Sequence, residues 1–160
     1  MEGYESLRLR QVQDAMTAAP ELIGRLGWPA ARLAGHRQAE LRRLVSTAQA
    51  ASPWHRKRLE HVDAAALHEA SLTALPVMTK DDLMTNFDEI VTDDRLRLEV
   101  VEEHLAGLTA TDAYLFGRYH AVASSGSSGR RGVLVYDWDG WITAFLGTLR
   151  HMMRELATWP

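Results

Sequence analysis

A Ser/Gly tract at residues 124–129, Ser-Ser-Gly-Ser-Ser-Gly, lies between two short apolar runs and constrains the fold more than any other feature. The runs, residues 120–123 and 133–136, resemble strands, so the tract is expected to connect them. Glycine readily adopts positive φ, and consecutive backbone N–H groups in such a turn can face inward and bind an anion. Serine hydroxyls add hydrogen-bond donors without bulk. The pattern therefore predicts a loop that holds phosphate groups.

The residues predicted to form this phosphate site are Ser124, Ser125, Gly126, Ser127, Ser128, Gly129 and Arg130. A guanidinium group such as that of Arg130 or Arg131 is suited to phosphate oxygens. Ser/Gly tracts are also typical of flexible linkers, but the apolar run on each side favours an ordered loop. The tract is neither a Walker A loop, since no Gly-Lys-Ser/Thr follows, nor a dinucleotide fingerprint, since a strand comes next.

Composition excludes several classes of protein. The 160 residues are expected to form one domain, and the net charge of −3 argues against a general nucleic-acid binder. The chain contains no cysteine, which removes disulfides and thiolate metal sites. Neither a secretory signal nor an apolar run long enough to span a membrane is visible. We expect a cytoplasmic protein with no nucleic-acid or membrane partner.

Helical spacing dominates the first part of the chain. Leu9, Val12 and Met16 predict one helix, and Pro20 is expected to open another that Gly27 ends. A longer helix is predicted over residues 30–50. Its expected inner face consists of Leu33, Leu41, Leu44, Val45 and Ala48.

Two further helix starts carry capping signals. Ser52 precedes Pro53, the order expected for an N-cap followed by the first helical position. Thr79 and Asp82 form a pair like a capping box, with Asp in place of the usual Glu or Gln. Lys80, in the first turn of that helix, is interpreted as a solvated surface residue rather than a phosphate ligand.

The pattern changes after residue 106. A helix is predicted over residues 92–106, strands over 113–116, 119–123 and 133–136, and a closing helix from Asp137. The apolar stripe of that helix, expected to pack against the sheet, consists of Trp138, Trp141, Ile142, Phe145, Leu149, Met152 and Leu156. The predicted fold is mixed α/β in a single partial domain, with residues 1–110 mainly helical and residues 111–160 containing the strands, the loop and the closing helix.

The histidines do not form a recognisable site. None pairs with another at the spacing of a helical metal site, and no Ser/His/Asp set can be justified locally. No catalytic residue and no metal ligand is therefore assigned. His120, which immediately precedes the apolar residues leading into the tract, is the one histidine of interest.

Three segments in order resemble the adenylate-forming superfamily, specifically its phenylacetate–CoA ligase-like branch. Residues 124–129 match the Ser/Thr/Gly-rich phosphate loop of that superfamily, residues 52–56 are similar to the branch's "SPFYR" segment, and residues 75–83 to its "LPvltKddL" segment. Arg130, Arg131 and Gly132 stand where many members have Pro-Lys-Gly. No adenine-binding motif, acid pocket, hinge or C-terminal catalytic lysine is matched, so the chain resembles an N-terminal piece of the large N-terminal domain.

The resemblance implies an acid–CoA ligase that uses ATP, Mg²⁺ and CoA. A carboxylate would attack the α-phosphate of ATP, and CoA would then take the acyl group from the adenylate. The expected partners are a nucleotide, a small carboxylic acid and the remainder of the ligase fold or a completing chain, and this segment is expected to be inactive alone. Two alternatives stay open: an adenylyl transferase without the CoA step, and a non-catalytic interaction module that retains the loop as structure.

Overall fold

The computed structural model describes residues 4–108, 114–125 and 131–158. The helices are α1 (Tyr4–Gly24), α2 (Ala30–Ala51), α3 (Pro53–Arg58), α4 (Lys80–Thr85), α5 (Phe87–Ile90), α6 (Leu98–Ala106) and α7 (Trp138–Thr158), with 3₁₀ turns at Arg25–Gly27 and Glu69–Ala74. Strands β1 (His120–Ala123) and β2 (Val133–Tyr136) form a two-stranded antiparallel sheet. The described residues are therefore mostly helical with a small sheet, which agrees with a mixed fold at that level.

The chain divides into two compact units. Unit 1 contains Met1–Pro29, Ala106–Val122 and Leu134–Pro160. Unit 2 contains Ala30–Leu105 and Ala123–Val133. The Ser/Gly tract belongs to unit 2.

The core of unit 1 lies between α1 and α7. Ala19 and Leu22 of α1 pack with Ile142 and Leu146 of α7, and each of these four side chains is at most 8% exposed. Burial of this apolar surface provides most of the stabilisation that holds a long helix pair together.

The prediction that Pro20 opens a second helix is wrong. Helix α1 continues through Pro20 to Gly24, and only the 3₁₀ turn that follows is separate. A proline inside a helix removes one backbone hydrogen bond. The adjacent burial of Ala19 and Leu22 against α7 favours continuation of the helix.

The core of unit 2 contains Val45 of α2 with Leu59, Ala64 and Leu67. The helix predicted over residues 30–50 is confirmed, since α2 covers Ala30–Ala51. The prediction that Leu44 lies on the inner face of this helix is wrong, because its side chain is 64% exposed. Leu44 and Val45 are neighbours about 100° apart around the helix, so only one of them can point directly at this cluster.

Helix α6 is shorter than the segment predicted as helical over residues 92–106. It begins at Leu98, whose backbone N–H donates to Asp88 Oδ1 at 2.7 Å. Before it, Asp93 Oδ1 accepts the backbone N–H of Arg95 at 3.1 Å, the local side-chain bond that competes with a helix. Val101 of α6 is fully buried.

The strand predicted over residues 113–116 is a tight turn in its described part, residues 114–116. Leu115 and Tyr119 form an antiparallel bridge, with both N···O distances 2.9 Å. Phe116 (φ 55°) and Gly117 (φ 66°) take left-handed conformations at its tip. Two consecutive residues with positive φ reverse the chain too sharply for an extended strand.

The apolar stripe predicted for the closing helix is divided between two environments. Ile142 and Leu146 face α1 rather than the sheet, while Phe145, Met152 and Leu156 are 50%, 54% and 68% exposed. The prediction that the whole stripe packs on the sheet is therefore wrong. Among the described residues, no helix combines the length and apolarity needed to cross a bilayer.

Candidate functional site

The Ser/Gly tract is closed at its base by two hydrogen bonds between Ser124 and Gly132. The backbone N–H of Ser124 donates to the carbonyl oxygen of Gly132 at 2.8 Å. The backbone N–H of Gly132 donates to the side-chain oxygen of Ser124 at 2.7 Å. We call this pair of bonds the clasp. It fixes the two ends of the tract relative to each other.

The first residue of β2 is anchored below the clasp. Val133 is fully buried, and its backbone N–H donates to Met84 Sδ of α4 at 3.2 Å. Met84 is itself only 6% exposed. Thioether sulfur is a weak acceptor, so burial of the two side chains contributes more than the hydrogen bond to holding Val133 on α4.

The same helix brings Lys80 to the clasp. A methyl group built on Gly132 would lie 3.7 Å from Lys80 Cγ and 3.8 Å from Cδ, and 3.6 Å from Ser124 Oγ. The alkyl part of Lys80 therefore runs beside the base of the tract. Lys80 is exposed, as predicted, but its position beside the tract was missed. Residues 80 and 132 are far apart in sequence, and no local signal connects them.

The start of α4 is fixed by a capping box, which confirms the prediction. Thr79 Oγ1 accepts the backbone N–H of Asp82 at 3.1 Å, and Asp82 Oδ2 accepts the backbone N–H of Thr79 at 2.9 Å. These hydrogen bonds favour the ionised carboxylate and lower the pKa of Asp82. Lys80 is the first residue of this capped helix, so the cap determines where its side chain starts.

Arg131 follows the tract but is already paired. Its guanidinium contacts the Glu102 carboxylate of α6, with Nε donating to Oε1 at 3.4 Å and Nη2 paired with Oε2. Both side chains are more than a third exposed, and such surface pairs contribute only about 0–1 kcal/mol. Glu102 orients Arg131, and an incoming anion could compete for it.

Only part of the predicted phosphate site belongs to the described residues. Ser124 forms the clasp, and Ser125 is exposed at the start of the tract. Gly126, Ser127, Ser128, Gly129 and Arg130 lie outside the described residues. The assignment of these five to a phosphate site stays a prediction.

His120 lies in an aromatic cluster of unit 1. Its ring stacks on Trp141 at a centroid distance of 4.4 Å and meets the Tyr114 ring edge-on at 4.8 Å, with Trp138 at 5.7 Å. Burial lowers the pKa of His120, and within the described part of the chain its Nε2 is buried without a hydrogen-bond partner. This environment favours a neutral ring that packs within the cluster.

Residues 4–108, 114–125 and 131–158 include no group of three or more His, Asp or Glu side chains that could hold a metal ion. No described residue is therefore assigned to the Mg²⁺ that the resemblance implies.

No protein-family model, curated protein or solved structure matches this chain. The clasped tract and its neighbours are therefore the features that support a functional proposal.

Proposed function

We propose that this chain is the N-terminal nucleotide-phosphate-binding segment of an ATP-dependent carboxylic acid–CoA ligase of the adenylate-forming type. The observation that carries the proposal is the clasped Ser/Gly tract with Lys80 beside its base. The three segments that resemble the phenylacetate–CoA ligase-like branch provide its chemical class.

Closure of the tract favours binding because it reduces the conformational freedom that a ligand would have to remove. A loop with both ends held by hydrogen bonds loses less entropy on binding than an open linker of the same composition. Ser124 is used in the clasp, so its hydroxyl already accepts a bond from Gly132. In this proposal, the remaining residues of the tract and Arg130 contact the phosphate groups directly.

Positive charge comes from two described residues. Lys80 has its alkyl chain against the base of the tract, and its ammonium is only two bonds beyond Cδ. Arg131 is held near the tract by Glu102. Both groups are suited to the β- and γ-phosphates, where negative charge accumulates as pyrophosphate leaves. Their contribution in this proposal is positioning and electrostatic stabilisation; neither acts as an acid, a base or a nucleophile.

The proposal is tested by titrating the purified chain with Mg-ATP and with pyrophosphate in a calorimeter. Replacing Lys80 with Ala should weaken binding by about tenfold or more, because a charged hydrogen bond contributes about 1.5–3 kcal/mol. Lys57→Ala is the matched control: Lys57 is also in unit 2 and also exposed, but it pairs with Glu89 on α5 instead of lying at the tract.

Equal affinity of the Lys80→Ala and Lys57→Ala variants would remove Lys80 from the site. Absence of binding to a folded wild-type chain would contradict nucleotide binding by this segment and favour the interaction module. In a chain completed with the rest of a ligase fold, pyrophosphate exchange without thioester formation would favour the adenylyl transferase.

A further inference from the structure

Arg131 stands directly beside the clasp in the sequence, and the clasp holds its backbone. It precedes Gly132, which is buried and takes part in both bonds of the clasp. Val133 follows and is fully buried. The Arg131 side chain, by contrast, is 45% exposed. Its guanidinium can therefore change partners while the backbone that carries it stays in place.

Its partner, Glu102, is carried by a helix that is itself anchored. Glu102 follows Val101, whose side chain is fully buried, and α6 begins at Leu98 with a hydrogen bond from its backbone N–H to Asp88. The Glu102 side chain is 37% exposed, and both members of the pair belong to unit 2. The contact therefore joins two anchored stretches of backbone through side chains that a dissolved anion can reach.

The contact occupies one edge of the Arg131 guanidinium group. Nε donates to Glu102 Oε1 at 3.4 Å, and Nη2 pairs with Oε2 of the same carboxylate. This two-point arrangement is also the one in which a guanidinium binds phosphate oxygens. Glu102 therefore offers Arg131 the same pair of acceptor atoms that a phosphate group would offer.

A polyphosphate that approaches Arg131 has two routes. It can bind the other edge of the guanidinium, with Glu102 kept in place, or it can replace Glu102. The first route gathers the carboxylate and several phosphate charges around one cation, and like charges a few ångströms apart repel each other. The second route gives up only an exposed ion pair, which is a weak contact. This balance favours replacement of Glu102.

We propose that Glu102 is an internal competitor for the phosphate site: it pairs with Arg131 in the free chain and is displaced by the β- and γ-phosphates of the nucleotide. This inference rests on the proposed function and adds to it a contact that opens when the ligand binds. Binding transfers Arg131 from α6 to the ligand and releases the Glu102 carboxylate to solvent. The strength of the Arg131–Glu102 pair therefore limits the affinity of the site.

The test is a calorimetric titration of the full chain with pyrophosphate at fixed pH and ionic strength. Glu102→Gln keeps the size of the side chain and removes its charge, so it should tighten binding by about two- to fivefold, the effect expected for loss of a weak exposed pair. Glu103→Gln is the matched control, because Glu103 is exposed at the next position of α6 and carries the same charge. It points about 100° further around the helix, and its loss should change affinity by less than about 1.5-fold.

Two further measurements locate the effect at Arg131. The tightening caused by Glu102→Gln should disappear in an Arg131→Gln background, because the competition needs both partners. In ¹⁵N NMR spectra, the Arg131 Nε–H signal of the wild-type chain should shift when pyrophosphate is added. The same signal should already be displaced in the Glu102→Gln variant without ligand.

Three results would overturn the inference. Equal affinities of Glu102→Gln and Glu103→Gln would show that only the net charge of α6 matters. Weaker binding in Glu102→Gln would show that Glu102 positions Arg131 for the ligand. Tightening that persists without Arg131 would place the effect elsewhere. In each case the wild-type chain still binds pyrophosphate, so the proposed function stands; absence of binding by the folded wild-type chain would remove both.

Discussion

A substitution at Ser52 provides the most direct test of the helix-capping signals found in the sequence. It is fully buried at the start of α3. Its side-chain oxygen accepts the backbone N–H of His55 at 3.4 Å, and its hydroxyl donates to the carbonyl oxygen of Glu89 at 3.1 Å. One hydroxyl therefore caps α3 and also ties it to the end of α5.

The expected cost of Ser52→Ala follows from these two bonds. Loss of an N-cap serine destabilises a protein by about 1 kcal/mol, and the long 3.4 Å contact favours the lower part of the usual range. Loss of the bond to Glu89 adds about 1 kcal/mol, the usual net contribution of one hydrogen bond. The free energy of unfolding should fall by about 2 kcal/mol in total.

Urea unfolding monitored by far-UV circular dichroism and by tryptophan fluorescence measures this change, and coincident curves would support a two-state analysis. Ser46→Ala is the matched control, since Ser46 is exposed on α2 and undergoes the same chemical change. Its free energy of unfolding should change by no more than about 0.5 kcal/mol. If the two variants unfold within about 0.5 kcal/mol of each other, the dual role assigned to the Ser52 hydroxyl is wrong.

Three other predictions test the remaining features. Leu146→Ala should lower the free energy of unfolding by about 2–4 kcal/mol in the same urea assay, because Leu146 is only 4% exposed. Leu156→Ala on the same helix should change it by less than about 1 kcal/mol, because Leu156 is 68% exposed. Similar losses in the two variants would contradict the core described for unit 1. Thr79→Ala should cost about 1 kcal/mol through loss of the capping box at α4, and an unchanged urea midpoint would contradict it. Because burial lowers the pKa of His120 below its usual 6.5, the unfolded chain binds more protons than the folded chain between those two values. The contribution of His120 to the free energy of unfolding should therefore be fully present above pH 6.5 and be lost as the pH falls through the pKa of His120 in the folded chain. His120→Phe should reduce this pH dependence of stability. An identical pH profile in the variant would show that burial of the His120 ring is not its source.

The features that the sequence predicts correctly are those determined within a few residues. Ser52 and Thr79 cap helices as predicted, because an N-cap depends on its own side chain and on N–H groups two or three positions away. Pro20 and Leu44 were misinterpreted for the opposite reason. Whether a helix continues through a proline, and which of two neighbouring residues is buried, depends on partners distant in sequence.

At the candidate site, too, the features set by nearby residues could be predicted and those set by distant residues could not. The flanking strands β1 and β2 could be predicted because their apolar runs are local. The neighbours of the tract could not, since Lys80 and Glu102 reach it only through the packing of α4 and α6. The assignment of residues 126–130 to phosphate binding stays a prediction that the titration with Mg-ATP tests.

The clasp closes the tract without using the residues that are proposed to bind a ligand. Ser124 and Gly132 bond to each other through one side chain and three backbone groups, and neither bond uses a residue between them. The segment enclosed by the clasp is therefore a natural position for sequence exchange. Libraries that vary residues 125–131 while retaining both ends could change ligand preference without redesigning the hairpin that carries them.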